Sequence, residues 1–308
     1  MARRSWMTGC VAAALLVGAT AGARGDVDRA GDVTAADKVP ITVPLEGGLR
    51  LEYEGYFGGL HIGSARAVLE REGARYRVSA EARARGILEW FSEYRGEAET
   101  RGALAARDAA GLDGRAPKPD IHRNRGEWQG DERWVALDYD EAGRVATRDG
   151  SPPEEEEDEL TPIPEGATTD TIDPISAIVA LAGILENGGT CDTTLKLYDG
   201  RRRYDLTVAD GGEKRFAPND YSIFAGSARA CALSIERIGG FRVGRVEYFT
   251  TARGRTVWVG RPIEAGPPVP VRVEVETAYG TLVIHLVAAH AGERRIALEP
   301  GRDVMADE

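Results

Sequence analysis

Between Val269 and Val287 apolar and polar side chains alternate with a period of two. Val269, Val271, Val273 and Val275 are interleaved with Pro270, Arg272, Glu274 and Glu276; Tyr279-Gly280 then supplies a turn, and Leu282, Ile284 and Leu286 resume the alternation. Successive side chains of a strand point to opposite faces, so this pattern fits a hairpin in a sheet with one greasy face. The same alternation recurs at Leu49–Tyr53, Ser64–Leu69, Tyr76–Ala82, Trp134–Tyr139, Thr194–Tyr198, Tyr204–Val208, Cys231–Ile235, Val243–Phe249 and Thr256–Val259, with Gly or Pro between the runs. Many short strands with such punctuation predict an all-β fold: a curved antiparallel sheet forming a closed or incomplete, spiral-like β-barrel. Although 308 residues allow two domains by length, the uniform pattern predicts one β-barrel-like domain over 40–298.

One segment breaks the β pattern. In Thr171-Ile-Asp-Pro-Ile-Ser-Ala-Ile-Val-Ala-Leu-Ala-Gly-Ile-Leu, Asp173 can cap a helix and Pro174 can occupy its first turn. Ile175, Ile178, Val179, Leu181 and Leu185 form a broad apolar stripe, and Asn187-Gly188-Gly189 ends it. A helix near 173–186 is expected to cover one mouth or face of the sheet. Ser151-Pro-Pro followed by the carboxylates 154–159 reads as a solvated acidic loop, 151–166, because consecutive acids lack the spaced ligands of a calcium loop.

The amino terminus carries an address. Arg3 and Arg4 precede an apolar core with Val11, Leu15, Leu16 and Val17, and small residues follow at Ala19, Ala21 and Ala23. This is the layout of a cleavable signal peptide, 1–25, and its core is shorter than the roughly 20 apolar residues of a spanning helix. Residues 26–39 read as a flexible leader and 299–308 as a flexible tail. A periplasmic protein that is not integral to the membrane is expected. Cys10 would leave with the signal peptide, so Cys191 and Cys231 would remain as an even pair; in an oxidising compartment they are expected to form a disulfide, worth roughly 4 kcal/mol on the chain-entropy model. Losing Arg3, Arg4 and Arg24 would leave 36 basic against 50 acidic residues. Such a surface repels phosphate backbones, which argues against nucleic acid as a partner.

Leu197-Tyr-Asp-Gly-Arg-Arg-Arg-Tyr-Asp-Leu206 sets three arginines inside a hairpin. An Asp199-Gly200 turn would pair Tyr198 with Arg201, Leu197 with Arg202, Lys196 with Arg203 and Leu195 with Tyr204. Leu195, Leu197, Arg202, Tyr204 and Leu206 would then share the apolar face, leaving Arg201 and Arg203 as surface charges. An Arg on an apolar face must snorkel, pair with an acid or meet a ligand's anion. An internal carboxylate partner, or an exit at the sheet edge, is the first expectation for Arg202; in the ligand reading, Arg202 and Tyr204 are the candidate ligand-binding residues.

Several of these stretches resemble a known family. Asp173-Pro-Ile-Ser-Ala177, Cys191, Tyr198-Asp-Gly-Arg-Arg-Arg-Tyr-Asp205, Gly226-Ser-Ala-Arg-Ala-Cys231, Ile238-Gly-Gly-Phe241 and Tyr56-Phe-Gly-Gly-Leu-His-Ile-Gly-Ser-Ala65 are similar to the bacterial exported family called domain of unknown function 3108. The resemblance spans about Leu49 to Leu286. It implies an exported, mostly β protein and brings no catalytic residues.

Chemistry-bearing motifs are sparse. There is no G-x-S-x-G elbow, S-x-x-K or P-loop, and His61, His122, His285 and His290 form neither H-x-H nor H-E-x-x-H. No catalytic residue, metal site or cofactor is implied. Ser64 and Ser227 read as the starts of strands, and Trp90, Phe91 and Tyr94 as an aromatic group in the core with a hydrogen-bonded rim. The sequence points to a non-enzymatic binding or scaffold protein of the cell envelope, holding a lipidic or glycan ligand or contacting an envelope protein. The alternative is a periplasmic glycan or peptidoglycan hydrolase using a carboxylate pair.

Overall fold

The computed structural model describes residues 48–86, 94–105, 116–151, 160–243, 254–264, 266–292 and 294–298. The signal peptide, the leader, the tail, residues 152–159 of the acidic loop, Trp90 and Phe91, and nearly all of the strand expected at Val243–Phe249 lie outside them.

The described residues form one antiparallel sheet of fourteen strands and one helix. In chain order the strands are β1 (Leu49–Phe57), β2 (Leu60–Glu72), β3 (Arg75–Ala84), β4 (Arg95–Ala105), β5 (Ala116–Trp128), β6 (Asp131–Tyr139) and β7 (Val145–Gly150). The helix α1 (Pro174–Glu186) follows. Then come β8 (Thr193–Tyr198), β9 (Arg203–Phe216), β10 (Gly226–Gly239), β11 (Gly254–Gly260), β12 (Val269–Thr277), β13 (Gly280–Ala291) and β14 (Arg294–Ala297). The spatial order is β7-β6-β5-β4-β3-β2-β1-β13-β12-β11-β10-β9-β8, with β14 beside β13. The first seven strands form one meander, β8 to β13 form another, and the β1–β13 ladder joins them.

Register defines an inner face. Leu137, His122, Thr100, Val78, Leu69 and Leu49 lie opposite one another along six successive strands. The expected β12–β13 hairpin is present, and Val271, Val273, Val275, Leu282, Ile284 and Leu286 are buried in the main core with Leu51 and Tyr53. A bulge between Glu52 and Tyr53 sets Leu286 opposite Tyr53 but Ala288 opposite Glu52. The extra residue reverses the parity of β13, so that Ala289 joins the same core.

The sheet is incomplete rather than closed: β7 and β8 share no ladder. Its ends nevertheless meet. Leu195 and Leu197 pack with Ala177 and Ala180 of α1, whereas Tyr198, on the other face of β8, packs with Val135 and Leu137 of β6. Since Leu137 belongs to the inner face, the β8 end tucks beneath β6 and β7, giving the overlap of a spiral. Arg148 of β7 donates from Nε to the Gly200 carbonyl at 2.8 Å across this junction. The outer edge of β8 is covered by Ile172, whose N–H donates to the Lys196 carbonyl and whose carbonyl accepts from the Tyr198 N–H, both at 3.0 Å. An edge so covered is not a template for another chain.

Helix α1 lies inside the curl. Ile175 packs on Ala80 and Ala98, and Leu181 on Cys191, Val208, Cys231 and Val259. The helix begins where the sequence predicts: the Asp173 carboxylate accepts from the N–H groups of Ile175 and Ser176, each at 3.0 Å. Cys191 and Cys231 form a disulfide, with Cα atoms 5.5 Å apart.

Candidate functional site

The arginine hairpin turns one residue later than expected. Tyr198 pairs with Arg203, Leu197 with Tyr204, Lys196 with Asp205 and Leu195 with Leu206. The reason is local. The Asp199 carboxylate accepts from the N–H groups of Arg201 at 2.9 Å and Arg202 at 2.6 Å, which draws Asp199 out of the central turn pair. Gly200, with φ +89°, becomes the first central residue, as a type II′ turn requires. The slip moves each partner by two positions, so strand side chains keep their faces. Leu195, Leu197, Tyr204 and Leu206 do share a face, as expected.

Two side chains are placed differently. Arg202 sits in the turn rather than on the apolar face, and its guanidinium grips Asp199 through Nε at 2.9 Å and Nη2 at 2.8 Å. Arg203, expected at the surface, is only 4% exposed. It donates to the Ala167 carbonyl at 2.7 Å and to Asp205 at 2.6 Å. Tyr204 points inward against Phe241, with ring centroids 6.4 Å apart. Burial pushes its hydroxyl pKa up, and the charge of Asp199 adds to this.

Tyr204 leads into a buried polar cluster that sequence reading did not assemble. Its hub is Asp173, fully buried at the N-terminus of α1. Besides the two helix N–H groups, the carboxylate accepts from Thr100 Oγ1 at 2.8 Å and Ser176 Oγ at 2.5 Å. His122 Nδ1 lies 3.3 Å from Asp173 Oδ1 and 2.9 Å from Thr100 Oγ1. The Tyr76 hydroxyl reaches Ser176 Oγ at 2.8 Å. Burial alone would push the Asp173 carboxyl up; the charge of His122 and hydrogen bonds from His122 and Ser176 outweigh it and hold the group below the ordinary carboxylate range. Burial raises the Tyr76 and Tyr139 hydroxyls, and the Asp173 charge raises both further. Asp173-Pro-Ile-Ser thus joins three strands and a helix. Thr100, His122, Asp173 and Ser176 are at most 1% exposed, so the cluster is a clamp sealed from any substrate.

A second constellation lies on the outer face and is accessible. The row Trp258, Arg272, His285, Glu54 and Ser64 crosses five strands. The Tyr56 ring contacts His61 at 5.4 Å, Tyr221 at 5.4 Å and His285 at 6.0 Å between centroids. Tyr221 stacks on His285 at 5.8 Å and 28°. His61 bonds Glu54 rather than Ser64, so no Ser–His dyad forms there. Arg272 donates to Glu274 Oε1 at 2.6 Å, and Trp258 Nε1 to Glu274 Oε2 at 3.2 Å. His285 is 7% exposed, and burial and the Arg272 charge depress its pKa to about 4.

Tyr221 arrives on the loop between β9 and β10. The β12–β13 ladder ends at Arg272 and His285, just before Pro270, which has no N–H to donate. The Tyr53 hydroxyl bonds the Pro270 carbonyl at 3.0 Å. The loop takes the vacated edge of β13: Ile223 N–H and Ser222 Oγ both donate to the Leu286 carbonyl, at 3.0 and 3.1 Å. Contacts spread from residue 56 to residue 285 left no short motif to read. Among the described residues no three His, Cys, Asp or Glu side chains converge as a metal-binding set.

Comparison with curated proteins finds no match. Among solved structures, the hypothetical protein CT021 from Chlamydia trachomatis is similar at a TM-score of 0.27 and 8% sequence identity, over 83% of this chain and 94% of that one. The family model described as "Protein of unknown function (DUF3108)" matches residues 52–287, which take in the arginine turn, the Asp173 clamp and the outer-face ring cluster. The chain belongs to the DUF3108 family.

Proposed function

We propose that this is an exported, periplasmic protein of the cell envelope that binds or scaffolds rather than catalyses. The observation that carries this reading is the division between the two polar constellations. The groups best suited to acid–base chemistry, Asp173, His122 Nδ1 and Ser176, bond one another and the helix cap, and all three residues are buried beside α1. The accessible constellation is aromatic, with each carboxylate matched to a cation or imidazole. That composition suits recognition more than bond cleavage. A carboxylate-pair hydrolase needs two acids flanking an open cleft about 5–10 Å apart. The leader pattern and the bonded cysteine pair support export.

Native mass spectrometry of protein purified from its own periplasm tests the reading. Recovery of the mature chain there with a lipid, glycan or protein attached supports it. Recovery only from the cytoplasm, or release of fragments from isolated peptidoglycan by the pure protein, overturns it.

A further inference from the structure

We infer that Tyr221, backed by His285 and Tyr56, is a platform for an uncharged sugar ring of an envelope glycan. This deepens the envelope-binding reading and rests on it. Tyr221 and His285 stack with ring centroids 5.8 Å apart, yet Tyr221 remains 56% exposed, so much of its ring surface is open. Leaving a large ring so exposed forgoes apolar burial. Here the exposure is also held in place. The Tyr221 N–H donates to Asn219 Oδ1 at 2.9 Å, Ser222 is tied to Leu286, and Phe224 is buried in the main core. Tyr56 stands edge-on to Tyr221 at 83° and to His285 at 70°, supporting the stack from one side. The loop is thus anchored on both sides of an aromatic face that it presents outward, and a preorganised surface loses little entropy on binding.

The rim selects the ligand class. Glu54 with His61 and Glu274 with Arg272 set hydrogen-bonding groups near the stacked rings, and Arg272 offsets the charge of Glu274. A rim without excess positive charge on a chain of net charge −11 gives no field to gather a polyanion. It does supply carboxylate acceptors, together with imidazole and guanidinium donors, to an uncharged polyhydroxylated ring whose C–H face lies on Tyr221.

The test is titration of the full chain, disulfide formed, with the β-1,4-linked N-acetylglucosamine tetramer and separately with maltotetraose. Protein fluorescence and the ring-proton shifts of His61 and His285 are followed. Binding of at least one tetramer, weakened about tenfold or more by Tyr221→Ala, retained by Tyr221→Trp and accompanied by unchanged melting temperatures, is the expected result. Failure of both tetramers to bind, or equal binding by Tyr221→Ala, overturns the platform. If in that case a lipid or protein co-purifies from the periplasm, the envelope-binding reading stands without the sugar platform. If nothing co-purifies and the chain is cytoplasmic, both fall.

Discussion

Two buried ionisable residues act on the acid limb of stability at different pH. His285 is held with a pKa near 4 against an ordinary 6.5 by burial and Arg272, opposed by Glu274; Glu54, His61, Tyr56 and Tyr221 complete its surroundings. The unfolded chain therefore binds the His285 proton first as pH falls. Stability from this residue is flat above about pH 6.5 and declines down to about 4. Asp173 acts lower. Its folded pKa is depressed, so its contribution is whole above the ordinary carboxylate pKa and is lost as pH falls through the folded value. Urea unfolding at a series of pH values separates the two. His285→Gln reduces the decline between 6.5 and 4 and keeps the lower one, whereas Asp173→Asn keeps the upper decline and reduces the lower one, to which Asp138, Asp140 and Asp210 also contribute. Asp173→Ala at neutral pH costs about 3 kcal/mol, a helix cap plus the stranding of Thr100, Ser176 and His122. A loss below about 1 kcal/mol would mean that the clamp carries no weight.

At the scale of elements, the strands most legible in the sequence are those whose inner face is large and apolar. β12 and β13 announce themselves through Val and Leu. β4 does not: in Arg95-Gly-Glu-Ala-Glu-Thr-Arg-Gly102 charged residues alternate with Gly96, Ala98, Thr100 and Gly102. The period is still two, but the inner face is small because α1 and Tyr76 press on it, with Ile175 on Ala98 and the Tyr76 hydroxyl 2.8 Å from where a Gly102 Cβ would stand. β5 is hidden similarly, by Pro117 and Pro119 at its start and by His122 and Asn124 facing inward. The Asp173 clamp was half legible: the cap was readable from Asp-Pro, but its strand partners are set by ladder register and not by any local spacing. The arginine turn was misplaced by one residue because the Asx bonds of Asp199 compete with the Asp-Gly turn signal. That turn yields a steric prediction. A Cβ on Gly200 would lie 2.1 Å from Val135 Cγ1, and φ there is +89°. Gly200→Ala should therefore cost about 2–4 kcal/mol, overpacking added to a left-handed Ala. Adding Val135→Ala, which removes the colliding methyl, should recover part of the loss in thermal melts. If the losses of the two single variants simply add in the double variant, the two sheet ends are not in contact there.

For the whole molecule, what needs explaining is how a sheet with two free ends keeps its curl. The β1–β13 ladder and the main core around Val271, Val273 and Leu286 hold the middle. The β8 end has no ladder to β7; besides the Arg148–Gly200 bond and the packing of Tyr198 on β6, it is held by Ile172 on its edge, α1 beneath it, and the Cys191–Cys231 bond linking the approach to β8 with β10. Leu181 packs against both cysteines, so the covalent tie and the helix share one site. A cross-link acts most on the region whose ordering depends on it, and stability within one domain is not uniform. Replacing both cysteines by Ala is expected to lower global stability by about 2–5 kcal/mol. It should also raise amide exchange in β8, β9 and α1 well before β1, β12 and β13. Comparing the variant with the parent by hydrogen exchange at equal native population checks this. Uniform acceleration across all strands would mean that the curl opens only by global unfolding. Selective loss at the β8 end would establish that the spiral can loosen there while its middle stays folded.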